Sequence, residues 1–311
     1  GPQHMSHHPL RTALLAALAA AVFPVTATVA QTPPQQDTVA PSVDRPAGEA
    51  VEAAQQKVEA SAVGDKITTT LGVDVSSHFI SYGSDVWAAR NKFFGDKTTV
   101  FAWGEFAVDL DPVTITAGLW SDNNDNDDSP LGGPVQEIDV YVGTAVALGK
   151  FTVGATYQGW YYLGDAEYVL DISAGYDDTG LIAPDFALNP SFLAHVRTGA
   201  NGDQEVGATA FVLGVEPSFE IFKFGANYPL TVAVPVNVGL FTDDFYGGGD
   251  AGFGFASLGG TLSVPLAFIP EAYGAWTAAF NVTGYTTNNE VITPNQTENF
   301  VTGQFSLSAT F

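Results

Sequence analysis

Val301–Phe311, the last eleven residues, reads Val-Thr-Gly-Gln-Phe-Ser-Leu-Ser-Ala-Thr-Phe. Val301, Gly303, Phe305, Leu307, Ala309 and Phe311 are apolar or glycine, and the intervening Thr302, Gln304, Ser306, Ser308 and Thr310 are polar. A period of two is that of a pleated strand with chemically different faces. The same alternation recurs towards the N-terminus. Leu230–Leu240 places Leu230, Val232, Val234, Val236, Val238 and Leu240 on one side, although Pro235 removes a ladder hydrogen bond within it. Val135–Leu148 sets Ile138, Val140 and Val142 against Glu137, Asp139 and Tyr141.

Extended over the chain, the alternation predicts about twelve strands. They are expected near Ile67–Tyr82, Thr98–Leu110, Val113–Trp120, Val135–Leu148, Phe151–Leu163, Glu167–Tyr176, Phe186–Arg197, Gln204–Val215, Leu230–Phe241, Gly252–Leu266, Ala272–Tyr285 and Phe300–Phe311. Tight connections such as Leu110-Asp111-Pro112 and Leu148-Gly149-Lys150 alternate with long polar ones, Gly83–Lys97, Ser121–Pro134, Phe241–Asp250 and Thr286–Asn299. Asp177–Asp185 and Glu216–Pro229 break the rhythm, being long where tight turns are expected.

Composition excludes several classes. With 10 Lys+Arg against 34 Asp+Glu, the chain carries a formal net charge of −24, the wrong sign for nucleic acid. Cysteine is absent, so no disulfide framework or thiolate chemistry is available. Aromatics reach 12% and charged residues only 14%, unlike a disordered acidic chain. At the N-terminus, Met5, Arg11, the apolar run Thr12–Val25 and Ala27-Thr28-Val29-Ala30 read as a leader and signal peptide over 1–30, cleaved after Ala30. Residues 31–65 read as a Pro/Gln-rich linker with a short helix over Glu49–Ala62, and 66–311 as the β domain.

Three features point the apolar faces to lipid. The segments are long, and a tilted strand needs about 9–11 residues to cross hydrocarbon. The opposite faces carry Asp74, Glu105, Asp109, Glu137, Asp139, Asp171 and Glu205, costly in a dry core and tolerable in a wet lumen. Aromatics fall near strand ends, at Phe79, Tyr82, Tyr161, Tyr176, Tyr285 and Phe311, where an interfacial girdle would sit. The expected fold is all-β: a transmembrane, antiparallel, up-and-down barrel with a short N-terminal periplasmic extension.

Gly303–Phe311 resembles the C-terminal signal of Gram-negative outer-membrane proteins, with Phe305, Leu307 and terminal Phe311 as its apolar positions. That resemblance implies a bacterial outer-membrane location and recognition by the barrel-assembly machinery. Leu71–Ser81, Trp120–Asn123 and Glu137–Gly143 further resemble stretches of the uncharacterised porins related to TorF.

The seven carboxylates are candidate selectivity groups, because like charges in a narrow passage favour counter-ions. The competing reading makes them wall residues of a plugged barrel. Trp103, Trp120, Tyr141 and Trp160 share the inner face, either as a sliding surface for solutes or as packing. Asp122, Asp125, Asp127 and Asp128 form an oxygen-rich run that suits calcium, or else a solvated acidic loop; the EF-hand pattern is absent. No other cofactor is expected. His78 follows Ser76-Ser77, a sequence that invites comparison with outer-membrane phospholipases, yet adjacent strand residues point to opposite faces, so Ser77 is not expected to pair with it. No catalytic set is assembled, and an enzyme is not expected. The expectation is a porin-like channel in contact with outer-membrane lipid, passing small cationic or neutral solutes. The alternatives are a non-conducting adhesin, scaffold or partner-binding platform, and an outer-membrane hydrolase.

Overall fold

The computed structural model describes residues 66–127, 129, 131–162, 165–183, 186–199, 205–223 and 229–311. The expected signal peptide, linker and helix all lie outside this range, as does Asp128. Twelve strands form the wall: β1 (Ile67–Ser76), β2 (Thr99–Asp109), β3 (Val113–Asn123), β4 (Val135–Leu148), β5 (Phe151–Tyr162), β6 (Asp165–Tyr176) and β7 (Ser191–Gly199). They continue as β8 (Thr209–Val215, resuming at Ser218–Lys223), β9 (Pro229–Ala233, resuming at Val236–Phe241), β10 (Gly252–Pro265), β11 (Ala275–Thr287) and β12 (Asn299–Thr310). Each pairs antiparallel with its chain neighbour, and β1 pairs with β12, as in Asp74 opposite Ser306. The sheet therefore closes and leaves no edge to satisfy in lipid.

The pleat is turned inside out relative to a soluble protein. On β1, Leu71, Val73 and Val75 are 52%, 47% and 37% exposed, while Asp74 between them is fully buried. Val140 and Val142 on β4 point outward in the same way, with Glu137, Asp139 and Tyr141 buried. An apolar exterior around a polar interior is the architecture of outer-membrane barrels. Among the described residues no helix is long and apolar enough to cross a membrane.

The irregular middle of the chain has a local cause. The second half of β8 pairs with the first half of β9, and the two strands break at the same level, at Glu216-Pro217 and Val234-Pro235. Neither proline can donate to the ladder. Around them the Val234 N–H reaches the Pro217 carbonyl at 2.9 Å, and the Gly259 N–H reaches the Pro235 carbonyl at 2.8 Å. Pro235 thus divides β9 without ending it, and Ser218–Lys223, within the expected loop Glu216–Pro229, continues β8. The β6–β7 connection is long, and β7 starts at Ser191, not Phe186. It is pinned by the Asp178 carboxylate, which accepts from the Leu188 and Asn189 amides at 2.8–3.0 Å.

The other departure lies at the end of β1. That strand stops at Ser76, and the chain turns into the barrel, making a small hairpin of Ile80–Ser81 with Ser84–Asp85. Phe79 and Tyr82, expected in an outer girdle, are buried inside, as is Tyr285. Tyr161 and Phe311 remain outside.

Candidate functional site

The site is the inner wall together with the loop that fills its long-loop end. Four expected aromatics, Trp103, Trp120, Tyr141 and Trp160, are buried on that wall. Two lie flat over glycines: a Cβ at Gly72 would fall 2.1 Å from the Trp103 ring, and one at Gly118 would fall 2.2 Å from the Tyr141 hydroxyl. Each uses its polar handle on a carboxylate. Trp103 Nε1 donates to Asp74 at 2.9 Å, and the Tyr141 hydroxyl donates to Glu105 at 2.8 Å. A buried indole or phenol needs such a partner.

Loop residues complete the packing. Phe79 sits 5.3 Å from Trp120 and 5.4 Å from Phe101, and Trp87 Nε1 donates to Asp122 at 2.9 Å. The hairpin is held by two other long loops. The Tyr246 hydroxyl reaches the carbonyls of Ser81 and Tyr82 at 2.9 and 2.8 Å, and Asn295 donates to the Gly83 carbonyl while accepting from the Asp85 amide, both at 2.8 Å. Asp85 is a loop carboxylate whose pKa burial raises, partly offset by nearby His78 and by the amides of Arg90 and Ala89.

Of the expected selectivity residues, Asp74, Glu105, Glu137, Asp139 and Asp171 lie on the inner face. Apart from one another, Glu137 and Asp139 have no hydrogen-bonding partner among the described residues. Asp109 sits at the tight-turn rim, where it accepts from the Asp111 amide at 3.0 Å. Glu205 departs from expectation: it is exposed in the β7–β8 connection and takes no part in the lumen, because β8 begins only at Thr209. The described members of the oxygen-rich run point different ways. Asp122 points inward to Thr99, Trp87 and Asn124, whereas Asp125 and Asp127 are exposed. Among the described residues, no three His, Asp or Glu side chains are grouped to hold a metal ion.

Sequence reasoning named Asp171 and Trp160 but missed the network that joins them to Arg197, Glu167 and His195. On β5–β7, Arg197 pairs with Glu167, which also accepts from the Tyr162 hydroxyl at 2.7 Å. The guanidinium lies 4.2 Å from the Phe245 ring centre and donates to the Phe245 carbonyl. His195 Nδ1 meets Asp171, Gln158 donates to the same carboxylate, and the imidazole stacks on Trp160 at 5.2 Å. The only sequence signal was inward parity, since the partners are contributed by different strands.

Ser77 and His78 also correct the expectation drawn from strand geometry. Because β1 has already ended, Ser77 Oγ lies 2.8 Å from His78 Nδ1, and His78 Nε2 lies 2.9 Å from the Arg90 carbonyl. Ser77 Oγ also accepts from the Gly303 amide at 2.8 Å, and both side chains are buried. The pair fastens the loop to β12.

Burial is graded along the axis on several strands, although Thr70, Ala145 and Thr310 towards the tight-turn end are buried. Inward positions near the tight turns, including Ala107, Asp109, Thr114, Thr116 and Thr152, are partly exposed, while those near the long loops are buried.

No family model and no curated protein matches the chain. Solved structures similar to it include an outer-membrane channel from Pseudomonas putida F1 (12% identity, TM-score 0.44, covering 79% of this chain and 95% of that one). The NanC porin is similar at 8% identity and TM-score 0.42, covering 79% and 98%. LpxR from Salmonella typhimurium follows at 8% and 0.39, covering 77% and 99%. At these values the likenesses carry no argument about substrate or activity.

Proposed function

We propose that the protein is a bacterial outer-membrane channel for small cationic or neutral solutes, closed at its long-loop end by the seated β1–β2 loop. The observation that supports this is the charge of the inner wall. Asp74, Glu105, Asp122, Glu137, Asp139, Glu167 and Asp171 are all buried there, and the one described Lys or Arg among them, Arg197, is paired to Glu167. A low-dielectric passage with that imbalance attracts cations and repels anions. No chemical step is involved, and passage is passive.

Planar-bilayer recording on pure, folded protein tests the reading. Current steps with a cation-directed reversal potential are expected, and Glu105→Gln combined with Glu137→Gln and Asp139→Asn should move that potential towards zero. Absence of steps from both the wild type and a plug-weakened Trp87→Ala variant removes the channel reading.

A second reading, a non-conducting platform that presents its loops to a partner, is favoured by one observation: the long-loop half of the lumen is packed with aromatic side chains. The same recordings separate the two.

A further inference from the structure

The β1–β2 loop does not stay inside the barrel. After the buried run ending at Ala89, Arg90 is exposed, and the chain then crosses to the outer face of β12. A Cβ at Gly303 would meet the Phe93 ring at 2.4 Å and the Phe94 ring at 2.8 Å. Phe94 lies 5.4 Å from Phe305, which lies 4.4 Å from Phe280 on β11. Phe93 and Phe305 are 48% and 54% exposed, so the four rings form an open apolar ledge on the lipid side of the wall.

The cations near the long loops sit on the same strap. Among the described residues, Lys66, Lys150 and Lys223 belong to the tight-turn end and Arg197 is buried, which leaves Arg90, Lys92 and Lys97. The carboxylates beside them are Asp96, paired to Lys92 at 2.8 Å, and the buried Asp85, which accepts from the Arg90 amide at 2.6 Å; the neighbouring loops carry the exposed Asp125, Asp127 and Glu298. Lys97 Nζ reaches the Asn126 carbonyl at 3.4 Å. An exposed pair such as Lys92–Asp96 is weak and exchanges its partner readily. In a chain of net charge −24, cations gathered beside an apolar ledge complement an amphiphile with an anionic head.

We propose that this strap docks a lipid of the leaflet at the long-loop end whose headgroup carries phosphate. Its acyl chains lie along Phe93, Phe94, Phe305 and Phe280, and its phosphate is met by Arg90 and Lys92. A guanidinium fork and an ammonium are the donors that phosphate geometry accepts best. The assignment depends on the barrel's orientation in lipid and is independent of whether the barrel conducts.

Native mass spectrometry on the full chain in detergent, with lipid A as the probe, tests it. The wild type should retain lipid A and release its dephosphorylated form. Arg90→Gln and Lys92→Gln should each lower retention about fivefold, and Phe93→Ser with Phe94→Ser should lower it as well. Lys150→Gln with Lys223→Gln, at the opposite rim, should retain lipid A as the wild type does. Compact migration on an unheated gel confirms folding of each variant. Equal retention of the two lipids by the wild type overturns the proposal without reference to any variant, and so does undiminished retention by a folded Arg90→Gln, Lys92→Gln double variant.

Discussion

Trp87 Nε1 donates to Asp122 Oδ2 across 2.9 Å, a bond that fastens a loop to the wall the loop closes off. Asp122 is also held by Thr99 and Asn124, so the acceptor is fixed before the indole arrives. Replacing Trp87 by Ala removes both the bond and a buried ring, a change that costs about 3–5 kcal/mol in well-packed sites. The expected result is longer open time in single-channel recordings, with the barrel still folded. Unchanged gating would show that the loop is held elsewhere.

Asp85 should make seating of that loop depend on pH. Burial raises its pKa in the seated state above the ordinary 3.8. A carboxyl with the higher value when seated favours seating while protonated, and that advantage fades as pH rises through the raised value. Open probability is therefore expected to increase as pH rises above the ordinary carboxylate value of 3.8. Asp85→Asn should flatten that part of the profile; a profile identical to the wild type would free Asp85 of the role.

The Arg197–Glu167 pair is expected to behave asymmetrically under mutation. Removing either partner leaves a buried charge uncompensated, at a cost of about 3–5 kcal/mol. Arg197→Met should lower the temperature at which the unheated gel form is lost, and adding Glu167→Gln should restore most of it. Additive losses in the double variant would contradict the pairing.

On the outer wall, Val142 is 53% exposed. Val142→Arg should destabilise folding into lipid vesicles by about 2–4 kcal/mol, the range for arginine near the bilayer midplane. Thr116→Arg, on the inner face of the neighbouring strand, should cost much less. Equal losses would mean that the faces are reversed.

Much of the wall was legible because its period is local. Val301–Phe311 shows its two faces without any knowledge of β1 or β11, and the same holds for Val135–Leu148. What was misread depends on partners far away in the chain. Phe79 and Tyr82 continue the alternation of β1, and only their contacts with Trp120 and Tyr246 reveal that the strand has ended. The break at Pro235 could be seen, but its match with Pro217 on the adjacent strand could not, and so a continuing strand looked like a loop. Among the carboxylates, Asp74 and Glu137 are buried on the face that parity gave them, whereas Glu205 lies in the β7–β8 connection because β8 begins only at Thr209. Arg197 was passed over because its partner Glu167 comes from another strand.

The gradient of burial along the barrel axis gives the molecule a sidedness. At the long-loop end, Phe79, Tyr82 and Trp87 of the seated β1–β2 loop are buried against the inner wall. In the proposed channel, a solute entering from the tight-turn side would first meet the partly exposed Asp109 and Thr116, well short of the packed rings.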